Sequence, residues 1–241
     1  RLVAPVVDGE DFSTGYHKVV ARDTGIVTMA YALCVQLMRY LQGISSFTQL
    51  WGGAMCFRLS AFRRYGVREF WMSNVVDDCS LADRLIHLGA RIRLSGDAVL
   101  MTEAREHDLG VWHHWMDRQI LFLKFCIPYQ WVLLGVLACL MLLPVLWAVL
   151  AVLGVLLGKL SFGWLVGVLV YAAALALVLR SWAHFQEAVF PVWRWMVAFC
   201  ASACMFVWVY LGTILAEGVL WQGIWYEVGR QGRVIRMRRQ K

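Results

Sequence analysis

Asp77 and Asp78 stand side by side just ahead of a helical pattern that runs Cys79-Ser80-Leu81-Ala82-Asp83-Arg84-Leu85. Adjacent carboxylates repel, so one of them keeps its proton to higher pH, and a carboxylate poised nearer neutrality suits general-base chemistry. The pair also fits a simpler task, because carboxylates favour the first turn of a helix. Upstream lies a small-residue turn, Trp51-Gly52-Gly53-Ala54-Met55. Its glycines allow the backbone to approach a ligand closely, or serve a plain turn. Downstream, residues 115–125 carry Arg118, Gln119 and Lys124 among tryptophan and phenylalanine, and then the chain turns almost wholly apolar. The pattern to explain is an acidic pair placed just ahead of a membrane-like segment.

The elements that must position these residues separate into two kinds. Hydrophobic residues make up 61% of the 241, above the roughly 45–50% of globular chains, and the excess is localised. Lys159 is the only charge between Trp131 and Leu179, and none falls between Trp195 and Ala216. Residues 1–124 are nearly neutral, with 14 Lys/Arg and 13 Asp/Glu, whereas residues 125–241 have 9 and 3. Most of that excess sits at Arg230, Arg233, Arg236, Arg238, Arg239 and Lys241. A basic run directly after an apolar segment is the positive-inside signal of a membrane protein. Nucleic-acid binding is disfavoured, since it would need a basic, aromatic-studded soluble face. The seven cysteines show no CxxC and no paired Cys/His spacing, so neither a disulfide framework nor a zinc site is indicated. The chain begins at Arg1 without a signal-peptide pattern, and we read it as the C-terminal part of a longer protein.

The first part alternates strand and helix, as an α/β domain does. Residues 1–27 read as strand and turn material, with a strand over Thr14–Ala21. Met29, Leu33, Leu37 and Leu41 recur every four residues and predict a helix over 26–41, with Gln36 and Arg39 elsewhere on the wheel. That helix is either ordinary packing or one lying on the bilayer. A further helix starts near Ser60, and another runs Leu81–Leu88, capped by Asp78 or Ser80 and stopped at Gly89. Ala90–Leu94 and Ala98–Thr102 read as two short strands around Ser95-Gly96-Asp97. His113 and His114 face different sides of a helix, which argues against a shared metal site.

Three apolar stretches, at about 131–157, 162–179 and 192–216, approach the roughly 20 residues that a spanning helix needs. Pro144 predicts a kink, tilt or break in the first, and residues 180–191 form a polar connection. Three crossings would put the basic tail and the α/β part on opposite faces, against the positive-inside rule. A re-entrant stretch, a hairpin broken at Pro144 or a failure of the rule would each resolve the conflict.

Four features then occur in a telling order. They are Thr14-Gly15-Tyr16; Trp51-Gly52-Gly53-Ala54-Met55 with Arg58; Asp77-Asp78 with Leu81 and Arg84-Leu85; and Arg118-Gln119 before the first span. The ending Trp221-Gln222-Gly223-Ile224-Trp225-Tyr226-Glu227-Val228 adds a W-x-G-x-x-Y-x-V pattern. Over nearly its whole length the chain resembles membrane-bound family 2 glycosyltransferases of GT-A fold, in the ceramide-glucosyltransferase-like branch.

The resemblance implies the C-terminal part of a GT-A catalytic domain over 1–112 and an amphipathic interfacial segment over 113–128. Transmembrane helices would occupy 129–216 and a basic tail 217–241. It implies an integral membrane enzyme with its catalytic domain on the cytoplasmic side. That enzyme would move a sugar, glucose in this branch, with inversion from a nucleotide-sugar to a lipid such as ceramide or diacylglycerol. Asp78 would be the base and Asp77 its supporter, with Gly52, Gly53, Arg118, Gln119 and Lys124 contacting substrate. The family neutralises the leaving diphosphate with a divalent metal (Mg2+ or Mn2+) held by a D-x-D motif. No D-x-D precedes the Thr14-Gly15-Tyr16 strand, and Asp8-Gly9-Glu10 sits in a turn of the wrong neighbourhood. Those ligands are expected in a preceding part, without which this chain would be inactive. The family's Q/R-x-x-R-W element reads Arg118-Gln119-Ile120-Leu121-Phe122 here, so only Arg118 matches. That departure disfavours a processive polysaccharide synthase, which stays the runner-up enzyme reading, beside a non-catalytic membrane scaffold that retains the fold. A transporter is disfavoured because the spans carry almost no ionisable residues.

Overall fold

The computed structural model describes residues 1–43, 50–187 and 190–239. Lys241 of the basic run, and residues 188–189 of the polar connection, lie outside them. The architecture is a mixed α/β region with small sheets, followed by three long apolar helices and a second small sheet.

Strand β1 (Phe12–Ala21) is the spine of the first region and is buried along most of its length. It pairs antiparallel with β2 (Met55–Phe57) and parallel with β3 (Ile92–Ala104). The two strands predicted within 90–102 are one strand. Its register slips between Thr14↔Leu94 and Tyr16↔Val99, so residues 95–98 bulge opposite Gly15. The bulge explains why Ser95-Gly96-Asp97 looks like a turn in sequence. Gly15 is required there, because a Cβ would lie 2.2 Å from the Ala98 carbonyl oxygen.

The N-terminal apolar run is not strand material but a short helix, α1 (Ala4–Val7), with Pro5 in its first turn, where a missing N–H costs nothing. Helix α2 (Ile26–Gln42) starts at Gly25, as its periodicity predicts. The helix placed near Ser60 begins one residue earlier, as α3 (Leu59–Arg64) with Arg58 at its cap, and is followed by α4 (Val67–Trp71). Helix α5 (Cys79–His87) opens on Asp78, and Gly89 beyond its end adopts φ +73°. Helix α6 (Leu109–Cys126) is capped by Asp108, which accepts from the Val111 N–H at 2.9 Å.

Helices α7 (Pro128–Leu156), α8 (Gly163–His184) and α9 (Val192–Ile214) are long and apolar enough to cross a membrane. Pro144 does not break α7. One core gathers β1, α2, α6 and α9 around Met29, Leu33, Trp112, Trp195 and Phe206. A second packs α3, α4 and α5 on Phe12, Tyr65 and Leu85.

The segment expected as a basic tail is folded. Strands β4 (Gly218–Trp221), β5 (Ile224–Val228) and β6 (Val234–Arg239) form an antiparallel sheet. Gln222 (φ +49°) and Gly223 (φ +75°) make the two-residue turn between β4 and β5, where both positions need positive φ. Val219 and Val228 point into a third core with Val75, Val76, Cys79, Cys126 and Ile127. Arg236, Arg238 and Arg239 fall on the exposed strand β6, and Arg230 and Arg233 on the turn before it, so the charge run hid an apolar face.

Replacing Gly15 by alanine should force the β1–β3 backbones apart and destabilise the protein by about 1–3 kcal/mol, the usual range for overpacking. A clearly lowered thermal midpoint in detergent would bear this out, and an unchanged one would contradict it.

Candidate active site

Most of the residues singled out in sequence converge where the start of β1, the glycine turn, the start of α5 and the middle of α6 meet. Thr14 fixes the small-residue turn, since its Oγ1 accepts the Trp51 N–H at 2.9 Å, while the Gly15 N–H donates to the Ala54 carbonyl at 2.8 Å. Trp51 stacks on His17 with ring centroids 5.4 Å apart and nearly parallel planes. Gly53 leaves room for that indole, because a Cβ there would come within 2.4 Å of it.

The turn presents Gly52 to the acidic pair. The Gly52 N–H donates to Asp78 Oδ2 at 3.1 Å, and the Cys79 N–H to Asp78 Oδ1 at 2.5 Å. A Cβ on Gly52 would sit 3.0 Å from Asp77 Oδ2. Trp71 holds the backbone between the two carboxylates through its indole N–H, 2.8 Å from the Asp77 carbonyl. Asp78 is half-buried and Asp77 exposed. Burial pushes the Asp78 carboxyl above the ordinary carboxylate range, and the neighbouring Asp77 charge adds to this, while the Gly52 and Cys79 N–H groups oppose it. Asp78 is therefore a helix cap, as the simpler reading had it. It still has acceptor capacity, because a carboxylate offers about four lone-pair sites and two are engaged.

The strand-like segment before the pair is clamped by the C-terminal sheet. The Val75 N–H donates to Gly232 O at 2.9 Å, the Val234 N–H to Ser73 O at 2.9 Å, and Asn74 Nδ2 to Gln231 O at 2.6 Å. Gly232, at φ +77°, passes so close to Cys126 that a Cβ would lie 2.7 Å from its sulfur.

A cavity of about 630 Å³ opens beside the carboxylates. His17, Arg39, Trp51, Asp77, Asp78, Arg118 and Gln119 line its polar part, and Val35, Leu134, Leu137 and Phe206 its apolar part. The structure thus brings Asp77, Asp78, Arg118 and Gln119 to one space. Gly52 reaches it through Asp78, and Gly53 only supports Trp51. Lys124 is placed elsewhere. Its ammonium donates to the carbonyls of Thr213 (2.6 Å), Ile214 (2.8 Å) and Ala216 (2.7 Å), capping the C-terminal end of α9. Cations belong at that end of a helix, and all three N–H bonds are engaged there.

Arg39 was missed by sequence reading. Its guanidinium lies 4.0 Å from the centre of the Tyr16 ring and lines the cavity, with burial lowering its pKa. The signal was a cation interrupting an apolar helix, which looks the same as a solvent-facing one. Among the described residues neither Arg39 nor Arg118 has a carboxylate within ion-pair distance. Nor does any group of three His, Cys, Asp or Glu side chains come together there to hold a metal. The residues present do not by themselves fit the divalent ion implied by the resemblance.

The family model for glycosyl transferase family 21 matches residues 34–234. The chain belongs to that family. The matched region takes in most of α2, the Gly52 turn, the acidic pair, α6, the three apolar helices and most of the C-terminal sheet. The family is ceramide-glucosyltransferase-like, the branch that the sequence resembles, under a family number of 21 where family 2 was expected. No curated protein and no solved structure matches the chain. Membership makes the protein a glycosyltransferase by family, and the acidic pair and cavity lie inside the matched region.

Lys124→Met should lower thermal stability by about 1–3 kcal/mol, the scale of charged hydrogen bonds, while leaving the KM for the sugar donor in the folded enzyme unchanged. A raised KM with intact stability would return Lys124 to the substrate site.

Proposed function

We propose that the protein transfers a sugar, glucose by family likeness, from a nucleotide-sugar to the hydroxyl of a lipid such as ceramide or diacylglycerol, with inversion. The observation that carries this reading is the single cavity that has Asp78 at its polar part and side chains of α7 and α9 at its apolar part. A lipid acceptor needs such a space, with a hydroxyl at the carboxylate and chains among apolar helices. A growing polysaccharide would instead call for a polar channel.

In this mechanism the lipid O–H donates its proton to a free lone pair of Asp78 as the oxygen attacks the anomeric carbon. The bond from that carbon to the diphosphate breaks, and the nucleoside diphosphate leaves with the electron pair. A hydroxyl is a poor nucleophile at neutral pH, so proton removal in the transition state is worth roughly 10²–10⁴-fold. Asp77 keeps Asp78 basic through its charge. Arg118 and Arg39, unpaired with carboxylates among the described residues, are the cations available to the leaving diphosphate, and Gln119 is a polar contact beside them. The mixed α/β region is the C-terminal part of a GT-A domain in this reading. The divalent metal of the wider resemblance has no cage among the described residues, and no step is routed through one. In this reading the catalytic region faces the cytoplasm, which nucleotide-sugar use and the basic C-terminal sheet support.

In the full-length protein, Asp78→Asn should reduce transfer in membranes by about 10²-fold or more. Labelled wild-type product should partition into organic solvent. Undiminished transfer by the variant would remove Asp78 as the base, and a water-soluble polymeric product would replace the lipid acceptor with a polysaccharide.

A further inference from the structure

Both ends of α9 are tied to the α/β region. At its start, Arg194 donates to the Thr24 carbonyl at 3.0 Å, and just before it Glu187 pairs with Lys18 of β1 at 2.5 Å. At its finish, Lys124 of α6 holds the last carbonyls, and Trp131, in the first turns of α7, donates to Thr213 Oγ1 at 3.1 Å. Its middle is also held, since Ser202 Oγ donates to the Ala30 carbonyl of α2 at 3.3 Å. One face, from Trp195 through Ser202 and Phe206 to Thr213, is buried along the whole helix.

Helices α7 and α8 behave differently. Their bases pack on the α/β region, through Leu134 and Ala138 of α7 and Leu179 of α8. Beyond that they contact each other, as where Trp147 meets Trp164, and both also pack along α9, as where Trp131 of α7 stacks on Tyr210. Only 6% of the α8 apolar window is buried, against 33% for α9. Their connecting turn, with Gly158 at φ +67°, carries one charge, Lys159.

A crossing helix must put its ends on opposite faces of a hydrocarbon layer about 30 Å thick. A helix fastened at start, middle and finish to one polar-surfaced domain does not do so. We infer that only α7 and α8 cross the bilayer, as a hairpin, and that α9 lies along the membrane face between the hairpin and the α/β region. The face of α9 opposite its buried stripe supports this, because Trp193, Val197, Trp208 and Leu211 share one side at helical spacing and are all exposed. An exposed apolar stripe with tryptophans suits the boundary between headgroups and acyl chains. The two-crossing arrangement removes the conflict that three spans create. The α/β region, the α8–α9 junction and the arginine-bearing strand β6 then share one side, with Lys159 the lone cation at the far turn, as the positive-inside rule requires. The resolution lies in α9 and not in a break at Pro144.

The test places a short site-specific protease sequence at one of three positions in the full-length protein: at Gly96, between Lys159 and Leu160, or after Arg239. Sealed inside-out membrane vesicles are then treated with the protease. Cleavage at Gly96 and after Arg239, with the Lys159 site protected until detergent is added, is the expected result. Protection after Arg239 while Gly96 is cut would mean that α9 crosses and would overturn the inference. Cleavage at Lys159 as well as at Gly96 in sealed vesicles would mean that the hairpin does not cross and would overturn it equally. Should an insertion prevent folding, Asp97→Cys, Ser161→Cys and Arg239→Cys, labelled with a membrane-impermeant maleimide against the wild-type background, give the same reading.

Discussion

Two backbone N–H groups from separate parts of the chain, Gly52 and Cys79, point at the one carboxylate of Asp78. Everything around the site serves that meeting. Thr14 of the central strand fixes the turn that carries Gly52, and the first turn of α5 supplies Cys79. The segment between, residues 73–76, would be free to move were it not hydrogen-bonded to the C-terminal sheet. Residues some 150 positions later in the chain therefore set the position of the acidic pair. Their packing on Cys126 and Ile127 joins the same clamp to the base of α7.

This arrangement balances opposing demands on one group. Burial favours the protonated form of Asp78, and so does the charge of Asp77, whereas the two N–H donors favour the carboxylate. A fully buried carboxylate without donors would stay protonated, and an exposed one would be too weak a base. Capping and catalysis are thus compatible duties, because the cap uses only part of the acceptor capacity of the group. The apolar helices then bring an acyl-compatible space to the same point.

Much of this was legible in the sequence, and the failures have physical causes. The period of α2, the three apolar helices, the Asp78 cap and the glycine turn rest on local pattern, and local pattern predicted them. The bulge opposite Gly15 depends on a partner strand some eighty residues away, so one strand looked like two. The C-terminal sheet was hidden because its arginines dominate the composition, while its inward residues are few and packed against distant segments. Lys124 falls outside the cavity and Arg39 inside it for a related reason. A cation on an apolar helix looks alike whether it caps a neighbouring helix, lines a cavity or meets water, and only tertiary contacts separate these. The family match over residues 34–234 supports the broad activity, while the assignments of base and cations rest on geometry.

The most direct test of the account is the pH dependence of sugar transfer in the wild type and in Asp77→Asn. Transfer needs Asp78 unprotonated, so activity should fall as pH drops through its pKa. Burial and the Asp77 charge raise that pKa, so the acid limb should lie above the ordinary carboxylate range in the wild type and move to lower pH in Asp77→Asn. A wild-type limb within the ordinary range, or one that Asp77→Asn leaves in place, would contradict the assignment of Asp78 as a base tuned by its neighbour.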